Sequence, residues 1–353
     1  MLQLMLKGMG RPPLKSVADL AGVSEPTVSR VLNGRPGVAP TTRSRVVAAL
    51  GELGYDEVPE PTRARRNAIG LVCGEFNNPV FPTLAHHLSM QFGRHGLLTT
   101  VAITDPQLTP EERCISELVD CAADGLVLIG GRHAEVEHDL RLYEELLDEE
   151  VPLVLVNGRA TSLATPQVYC DEGAGAAKAV RHLVDLGHRR IGCLLGSRRF
   201  IPSRRLVNGY RSAMAAASLE EPAGAIVETP FTLEGGRAGA TRLLHQGITA
   251  ILAGNDLMAL GAVQAATRAG LDVPADVSII GYDGTDLMAM TDPPLTTLRQ
   301  PFEDMAALVV DALLSEIDGS RRFREHFIFE PALVARGTTG ARKAVAVTSS
   351  PGT

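Results

Sequence analysis

The sequence predicts a small all-α helix–turn–helix headpiece followed by an α/β core of two doubly wound parallel-sheet subdomains. Three observations predict it. Residues 16–34 read as two short helices joined by a tight turn. From residue 68 onward, short β-rich apolar runs alternate with helical stretches, the texture of a parallel sheet covered on both faces. Those runs are too many for one tidy sheet, so the core divides in two. A length of 353 residues agrees, because it exceeds one small core and suggests about two or three domains.

The headpiece spans residues 1–55. Val17, Ala18, Leu20 and Ala21 give its first helix an apolar face, with Ser16 as N-cap. Gly22 stands where that helix stops, at a position that tolerates positive φ. Ser24 can cap the second helix, and Pro26 suits its first turn, where a missing N–H costs nothing. Val28, Val31 and Leu32 face back onto the first helix, leaving Thr27, Ser29, Arg30 and Asn33 outward. Such a polar outer face belongs in the DNA major groove, although an ordinary helical hairpin shares the pattern. A third helix carries Val46, Val47, Leu50 and Leu53 at helical spacing and closes at Gly54.

Residues 56–67 are a linker by composition: Pro59 and Pro61 keep it extended, and Arg63, Arg65 and Arg66 make it basic. The core follows over residues 68–337. Strands are expected at 69–73, 98–103, 125–129, 152–156, 191–195, 225–227, 250–253 and 277–281. The predicted first lobe takes residues 68–160 plus 296–322, and the second takes 161–295 plus 323–337. An amphipathic helix is expected at 301–317, and the Thr-, Ser-, Gly- and Ala-rich residues 338–353 form an expected disordered tail without heptads.

Charge is uneven along the chain. Residues 1–66 hold ten Lys/Arg against six Asp/Glu, a balance of +4, and the remainder, with 24 against 35, carries −11. A basic head can meet phosphate, whereas an acidic body is repelled by it. Apolar residues make up 45 %, and no apolar run approaches the roughly 20 residues that span a bilayer. The short segment 1–9 lacks a cleavage site and is not a signal peptide, so a cytoplasmic protein without a membrane partner is expected. Five cysteines without a Cys-x-x-Cys read as buried, reduced thiols. The Gly-rich stretch at 173–178 lacks the third glycine of a dinucleotide loop. His86, His87, His182 and His188 have no partners at metal spacing. No nucleophile elbow, zinc motif, Walker loop or matched acid–base pair is present. Neither cofactor, metal nor catalytic residue is expected, and the chain is not read as an enzyme.

Several landmarks occur in order: 17–34 (Val-Ala-x-x-Ala-Gly-Val-Ser-x-x-Thr-Val-Ser-Arg-Val-Leu-Asn-Gly), Gly54-Tyr55, 69–72 (Ile-Gly-Leu-Val), Asn78-Pro79-x-Phe81, 187–191 (Gly-His-Arg-Arg-Ile), 255–261 (Asn-Asp-Leu-Met-Ala-Leu-Gly), Gly281-Tyr282-Asp283 and Gln300-Pro301. In these the chain resembles the LacI/GalR family of bacterial transcription regulators over nearly its full length. The resemblance implies a two-lobed core like periplasmic sugar-binding proteins and a homodimer whose DNA affinity is switched by a small molecule in the cleft.

At the DNA end, Glu25, Pro26, Thr27 and Arg30 start the second helix and are expected at base edges, since Arg pairs bidentately with guanine and Glu accepts from cytosine. Ser16, Ser24, Ser29, Asn33 and Arg35 are placed for phosphates. One monomer reads too few bases, so a two-fold dimer on a roughly palindromic operator is expected. The linker departs from the family, whose hinge wedges a leucine into the minor groove. No leucine lies between Tyr55 and Ile69, which leaves Arg63, Arg65 and Arg66 to enter or line a narrow minor groove instead.

Carried over motif by motif, the pocket candidates are Phe81, Asn157, Asp171, Phe231, Asn255 and Asp283. Flat rings for stacking, with Asn and Asp for hydroxyls, suit a carbohydrate-like effector. The family's clamping arginine falls at Leu206 here, so Arg204 and Arg205 are the candidates, and a sugar phosphate stays open. Structural alternatives stand beside these: core positions for Phe81 and Phe231, an N-cap for Asp171, a loop cap for Asp283. The resulting expectation is a sequence-specific DNA-binding regulator, a repressor, switched by a sugar or sugar derivative. The rival is a solute-binding receptor without a DNA role.

Overall fold

The computed structural model describes residues 14–32, 38, 40–53, 67–105, 107–137, 139–323 and 325–342. Three helices form the headpiece: α1 (Leu14–Ala21), α2 (Glu25–Leu32) and α3 (Pro40–Glu52). Gly22 turns the chain between α1 and α2 at φ +62°, and the Val23 N–H donates to the Ala18 carbonyl, so a left-handed residue ends the helix. Val17, Ala18 and Ala21 pack with Val28, Val31, Val46, Ala49 and Leu50 into a small closed core. Leu20 and Val47, expected on the apolar faces, are exposed, because 100° steps carry them past the edge of a narrow buried stripe. Ser16 lies inside α1 rather than capping it, while Ser24 immediately precedes α2 and its carbonyl accepts from the Thr27 and Val28 N–H groups.

The core begins with β1 (Ala68–Cys73), α4 (Val80–Arg94), β2 (Leu98–Ile103), α5 (Glu111–Asp120), β3 (Gly125–Ile129), α6 (Arg141–Asp148), β4 (Leu153–Val156) and β5 (Gln167–Cys170). It continues with α7 (Glu172–Asp185), β6 (Ile191–Leu195), α8 (Ile201–Ala216), β7 (Ile226–Glu228), α9 (Leu233–His245), β8 (Ala250–Ala253), α10 (Asp256–Arg268), β9 (Ser278–Asp283) and β10 (Thr296–Arg299). The last elements are α11 (Phe302–Ile317), β11 (His326–Phe329) and β12 (Ala332–Val334). Two six-stranded sheets result, ordered β11-β5-β4-β3-β1-β2 and β12-β10-β9-β8-β6-β7. The β10–β12 pair is antiparallel, whereas β10–β9, β9–β8, β8–β6 and β6–β7 are parallel.

Continuous apolar strands explain the double cover. In the second sheet Ile191, Cys193 and Leu195 of β6 pack with α7 and α8, while Leu194 points to the opposite face beneath α9 and α10. In the first sheet α4 and α11 share a buried core with β1, β3 and β4 through Leu84, Leu88, Met305 and Val309.

The expected lobe boundaries need correction. Strands β5 and β11, expected in the second lobe, pair with each other, and β5 with β4, in the first sheet. Strand β10, expected in the first lobe, pairs β9 in the second. The chain therefore crosses between lobes at Asp171, between β10 and α11, and between β11 and β12. Short strands beside a crossover carry no long apolar run to announce their sheet. The tail is corrected in part: Thr338 is fully buried, its carbonyl accepts from the Ile279 N–H, and the Gly340 N–H donates to Ser278 Oγ. These bonds satisfy the start of β9, ahead of its pairing with β10, so residues 338–342 are ordered. Residues 343–353 lie outside the described residues.

Candidate functional site: a cleft between two lobes, and an exposed helix

A cleft of about 840 Å³ opens between the two sheets, beyond the carboxyl ends of their strands. Its walls are built alike in both lobes. In the first, β1 and β3 run out into Gly74 and Gly130, and the Phe81 ring of α4 lies over both. A Cβ added to Gly130 would stand 3.0 Å from Phe81 Cε1. In the second lobe β6 and β8 run out into Gly196 and Gly254, and the Phe231 ring covers them. A Cβ on Gly196 would fall inside that ring's van der Waals envelope. Each strand end has thus given up its side chain to seat a flat apolar face in the cleft. Phe200 stands beside Phe231 with ring centroids 6.3 Å apart, and the Arg199 guanidinium covers Phe200 at 4.6 Å.

The polar floor comes from β9, its flanks and the first turn of α7. Asp283 ends β9 at φ +104°, a left-handed conformation costly for a side chain and held by its surroundings. Its Oδ1 accepts from Gln300 Nε2 at 2.9 Å. Beneath it Asp256 accepts from the Gly284 N–H at 2.9 Å and Thr297 Oγ1 at 2.5 Å. Burial and the neighbouring Asp256 raise the Asp283 carboxyl well above the ordinary carboxylate range. Buried Glu172 is likewise pushed up to about 7, against the pull of Arg205, 3.4 Å away. Three lining atoms are buried without a hydrogen-bond partner: Ser203 Oγ, Tyr282 OH and Gln300 Oε1. Orphaned buried polar atoms are costly, and three on one cleft wall point to a polar occupant.

The cleft mouth is bridged. The Val136 N–H donates to the Arg199 carbonyl at 2.8 Å, and Glu135 and Phe200 form an isolated antiparallel bridge.

Phe81, Asn157, Phe231, Asn255 and Asp283 line the cleft. Asn157 does so at φ +58°. Asn255 has a further duty: its Oδ1 accepts from the Met258 N–H as the cap of α10, and its Nδ2 donates to the Phe231 carbonyl at 3.3 Å. Asp171, Arg204 and Arg205 do not line it. Asp171 caps α7 by accepting from the Ala174 N–H. Arg204 is exposed and donates to the Arg198 carbonyl. Arg205 lies 4.2 Å over the Tyr169 ring, behind Glu172. The helical register of α8 turns both arginines away and presents Ser203 and Leu206 to the cleft instead. Sequence reasoning passed over Ser203, Glu172, Tyr282, Gln300 and Glu111. Tyr282 and Gln300 sit inside quoted motifs, so position was a signal; their lack of partners was not.

In the headpiece, Ser24, Glu25, Pro26 and Arg30 are exposed on or just before α2, and Ser16, Thr27 and Ser29 are half-buried. Ser24 Oγ and Thr27 Oγ1 share a hydrogen bond of 2.8 Å. Asn33, Arg35, Arg63, Arg65 and Arg66 lie outside the described residues.

Comparison with known proteins agrees with both parts. Residues 13–57 match the model of bacterial regulatory proteins of the lacI family, and residues 180–339 match a periplasmic binding protein-like domain. An uncharacterized HTH-type transcriptional regulator in the aml 5′ region of Streptomyces limosus is 44 % identical over 339 residues, covering 94 % of this chain and 96 % of the relative. A solved transcriptional regulator CelR–cellobiose complex superposes with a TM-score of 0.70 at 30 % identity, over 93 % of this chain and 100 % of that one. A lac repressor dimer bound to operator and the anti-inducer ONPF gives 0.68 at 26 %, over 94 % and 100 %. A DNA-binding helical head joined to a ligand-binding α/β core defines a class, the ligand-responsive transcription regulators. The chain belongs to the lacI family of bacterial regulatory proteins within it.

Proposed function

We propose that this regulator is a cytoplasmic homodimeric repressor that holds a roughly palindromic operator and is switched by a carbohydrate-like effector in the cleft. The observation that carries the effector reading is the cleft itself. Two glycine-seated phenyl rings face a floor of carboxyl, hydroxyl and amide groups, three of whose atoms lack partners. Stacking faces plus hydroxyl-binding groups are what a sugar ring asks of a protein. Cellobiose in the CelR complex supports the same class.

At the DNA end, Glu25, Pro26, Thr27 and Arg30 are assigned to base edges, and Ser16, Ser24 and Ser29 to phosphates. A second copy is supported by the first lobe's edge: Met90 on α4 and Leu98, Val101 and Ile103 on the outermost strand β2 are exposed apolar side chains. The dimeric lac repressor on its operator points the same way.

The test is a gel shift of the full chain on DNA flanking its own gene, titrated with saccharides. A sequence-specific complex is expected, weakened about tenfold or more by Arg30→Ala and relieved by one of the saccharides. Absence of a shift on any DNA at low salt removes the operator reading.

A further inference from the structure

We propose that Arg205 is a positioning residue for the switch: its guanidinium, stacked on Tyr169 of the first lobe and paired with Glu172 of the second, staples one chain crossover and sets the angle between the lobes. The proposal rests on the operator reading given above and is independent of the chemical class of the effector.

The argument begins at the crossover. Strand β5 ends at Cys170 in the first sheet, Asp171 follows, and Glu172 opens α7 in the second lobe. Tyr169 and Glu172 therefore stand on opposite sides of the crossing, with only two residues between them. Lobes that turn about a crossover do so through backbone torsions at such element ends, so the spacing of these two side chains changes with the lobe angle. Arg205 touches both. Its guanidinium lies 4.2 Å from the centre of the Tyr169 ring, and its Nη1 stands 3.4 Å from Glu172 Oε2. Tyr169 and Glu172 are buried and Arg205 is half-buried, which keeps water from screening the contact.

The two halves of the contact respond differently to lobe motion. A Cβ added to Gly209 of α8 would collide with the Gly173 backbone of α7, so these helices meet main chain to main chain. Arg205 is thus carried with Glu172 as one body. Its contact with Tyr169 is the one that must break when the lobes turn, because the attraction requires the cation to stand over the ring face. The neighbouring crossover, between β11 and β12, supplies the pivot. There Lys178 of α7 pairs with Glu330 at 2.8 Å and donates to the Pro331 carbonyl at 3.0 Å. Lys178 grips the connection itself, whereas Arg205 reaches past it to a strand of the other lobe. Glu172 also lines the cleft. A ligand touching that carboxyl acts on one partner of Arg205, which gives the cleft a route to the lobe angle.

The experiment measures operator midpoints of the full chain by gel shift on DNA flanking its own gene, without added ligand, beside denaturant unfolding of the α/β core. Arg205→Met and Tyr169→Leu are each expected to move the operator midpoint about threefold or more in the same direction, and the double variant no further than the larger single one. Tyr169→Phe keeps the ring and stays within about twofold of wild type. Arg205→Lys keeps the charge beside Glu172 without the planar face, and shifts as Arg205→Met does. If Tyr169→Leu loses its fold by circular dichroism, the two Arg205 variants carry the test. A midpoint unchanged in Tyr169→Leu or in Arg205→Lys reduces Arg205 to a counter-charge for Glu172 and overturns the proposal. So do shifts that add in the double variant. If the wild-type chain shifts no DNA, the operator reading falls by itself, and the unfolding midpoints decide the staple: losses shared by the two single variants support it, and additive losses overturn it.

Discussion

Single atoms decide most of what the cleft can do. Gly196 is the sharpest case, because any Cβ there collides with Phe231. Gly196→Ala should displace the ring, leave the fold by circular dichroism intact, and weaken effector binding about tenfold or more by titration calorimetry. Glu172 makes a second claim. Burial lifts its carboxyl from 4.5 to about 7, so the folded chain binds that proton more tightly than the unfolded chain does. Stability from this group is therefore lost as pH rises through that window. Glu172→Gln removes the titration, and its stability relative to wild type should rise between about pH 5 and about pH 8 by on the order of 1–3 kcal/mol. Denaturant titration at the two pH values checks the sign; a difference that shrinks with rising pH rejects the buried-carboxylate account. The sequence brought Phe81, Phe231 and Asp283 to attention by type and motif. It could not separate Asp171 the helix cap from Asp171 the ligand group, because both need a carboxylate at a strand end. Nor could it show that Tyr282 OH lacks a partner, which is a property of everything packed around it.

Elements were legible in proportion to their apolar continuity. Strands β3, β6 and β8 announce themselves by unbroken runs, and every residue in them is buried. Strand β10 (Thr-Thr-Leu-Arg) and strand β5 (Gln-Val-Tyr-Cys) do not, since their polar residues are buried only by tertiary partners: Thr296 hydrogen-bonds Thr338, and Gln167 hydrogen-bonds Ala160. Missing them misplaced the lobe boundaries. The headpiece was readable because three short helices can close only one core. Leu50 is wholly buried in it. Leu50→Ala should cost about 2–5 kcal/mol, enough to unfold so small a core. The expected outcome is loss of operator binding in a gel shift while the main calorimetric transition of the α/β core stays in place. A core transition that moves with the headpiece contradicts separate hydrophobic cores.

The α/β core acts as a switch only if its two lobes can be biased as a pair. Three chain crossovers join them on one side, and at the cleft mouth the Val136 N–H to Arg199 carbonyl bond and the Glu135–Phe200 bridge tie them again. Removing that donor tests whether the mouth contact takes part in switching. Proline at 136 suits the test, because Glu135 before it already lies at φ −89°, ψ 151°, the extended region that precedes proline freely. One lost hydrogen bond is worth roughly 1 kcal/mol, so Val136→Pro should weaken effector binding about fivefold while the fold persists. Linkage then requires a second change. If effector favours the bridged lobe arrangement, a variant that disfavours it must shift operator affinity in the direction opposite to the effector's own effect, even with no effector present. Gel-shift midpoints with and without saccharide measure both shifts in one experiment. Equal midpoints for variant and wild type under both conditions mean the mouth bridge is a passive contact, and the coupling between cleft and headpiece runs through the crossovers alone.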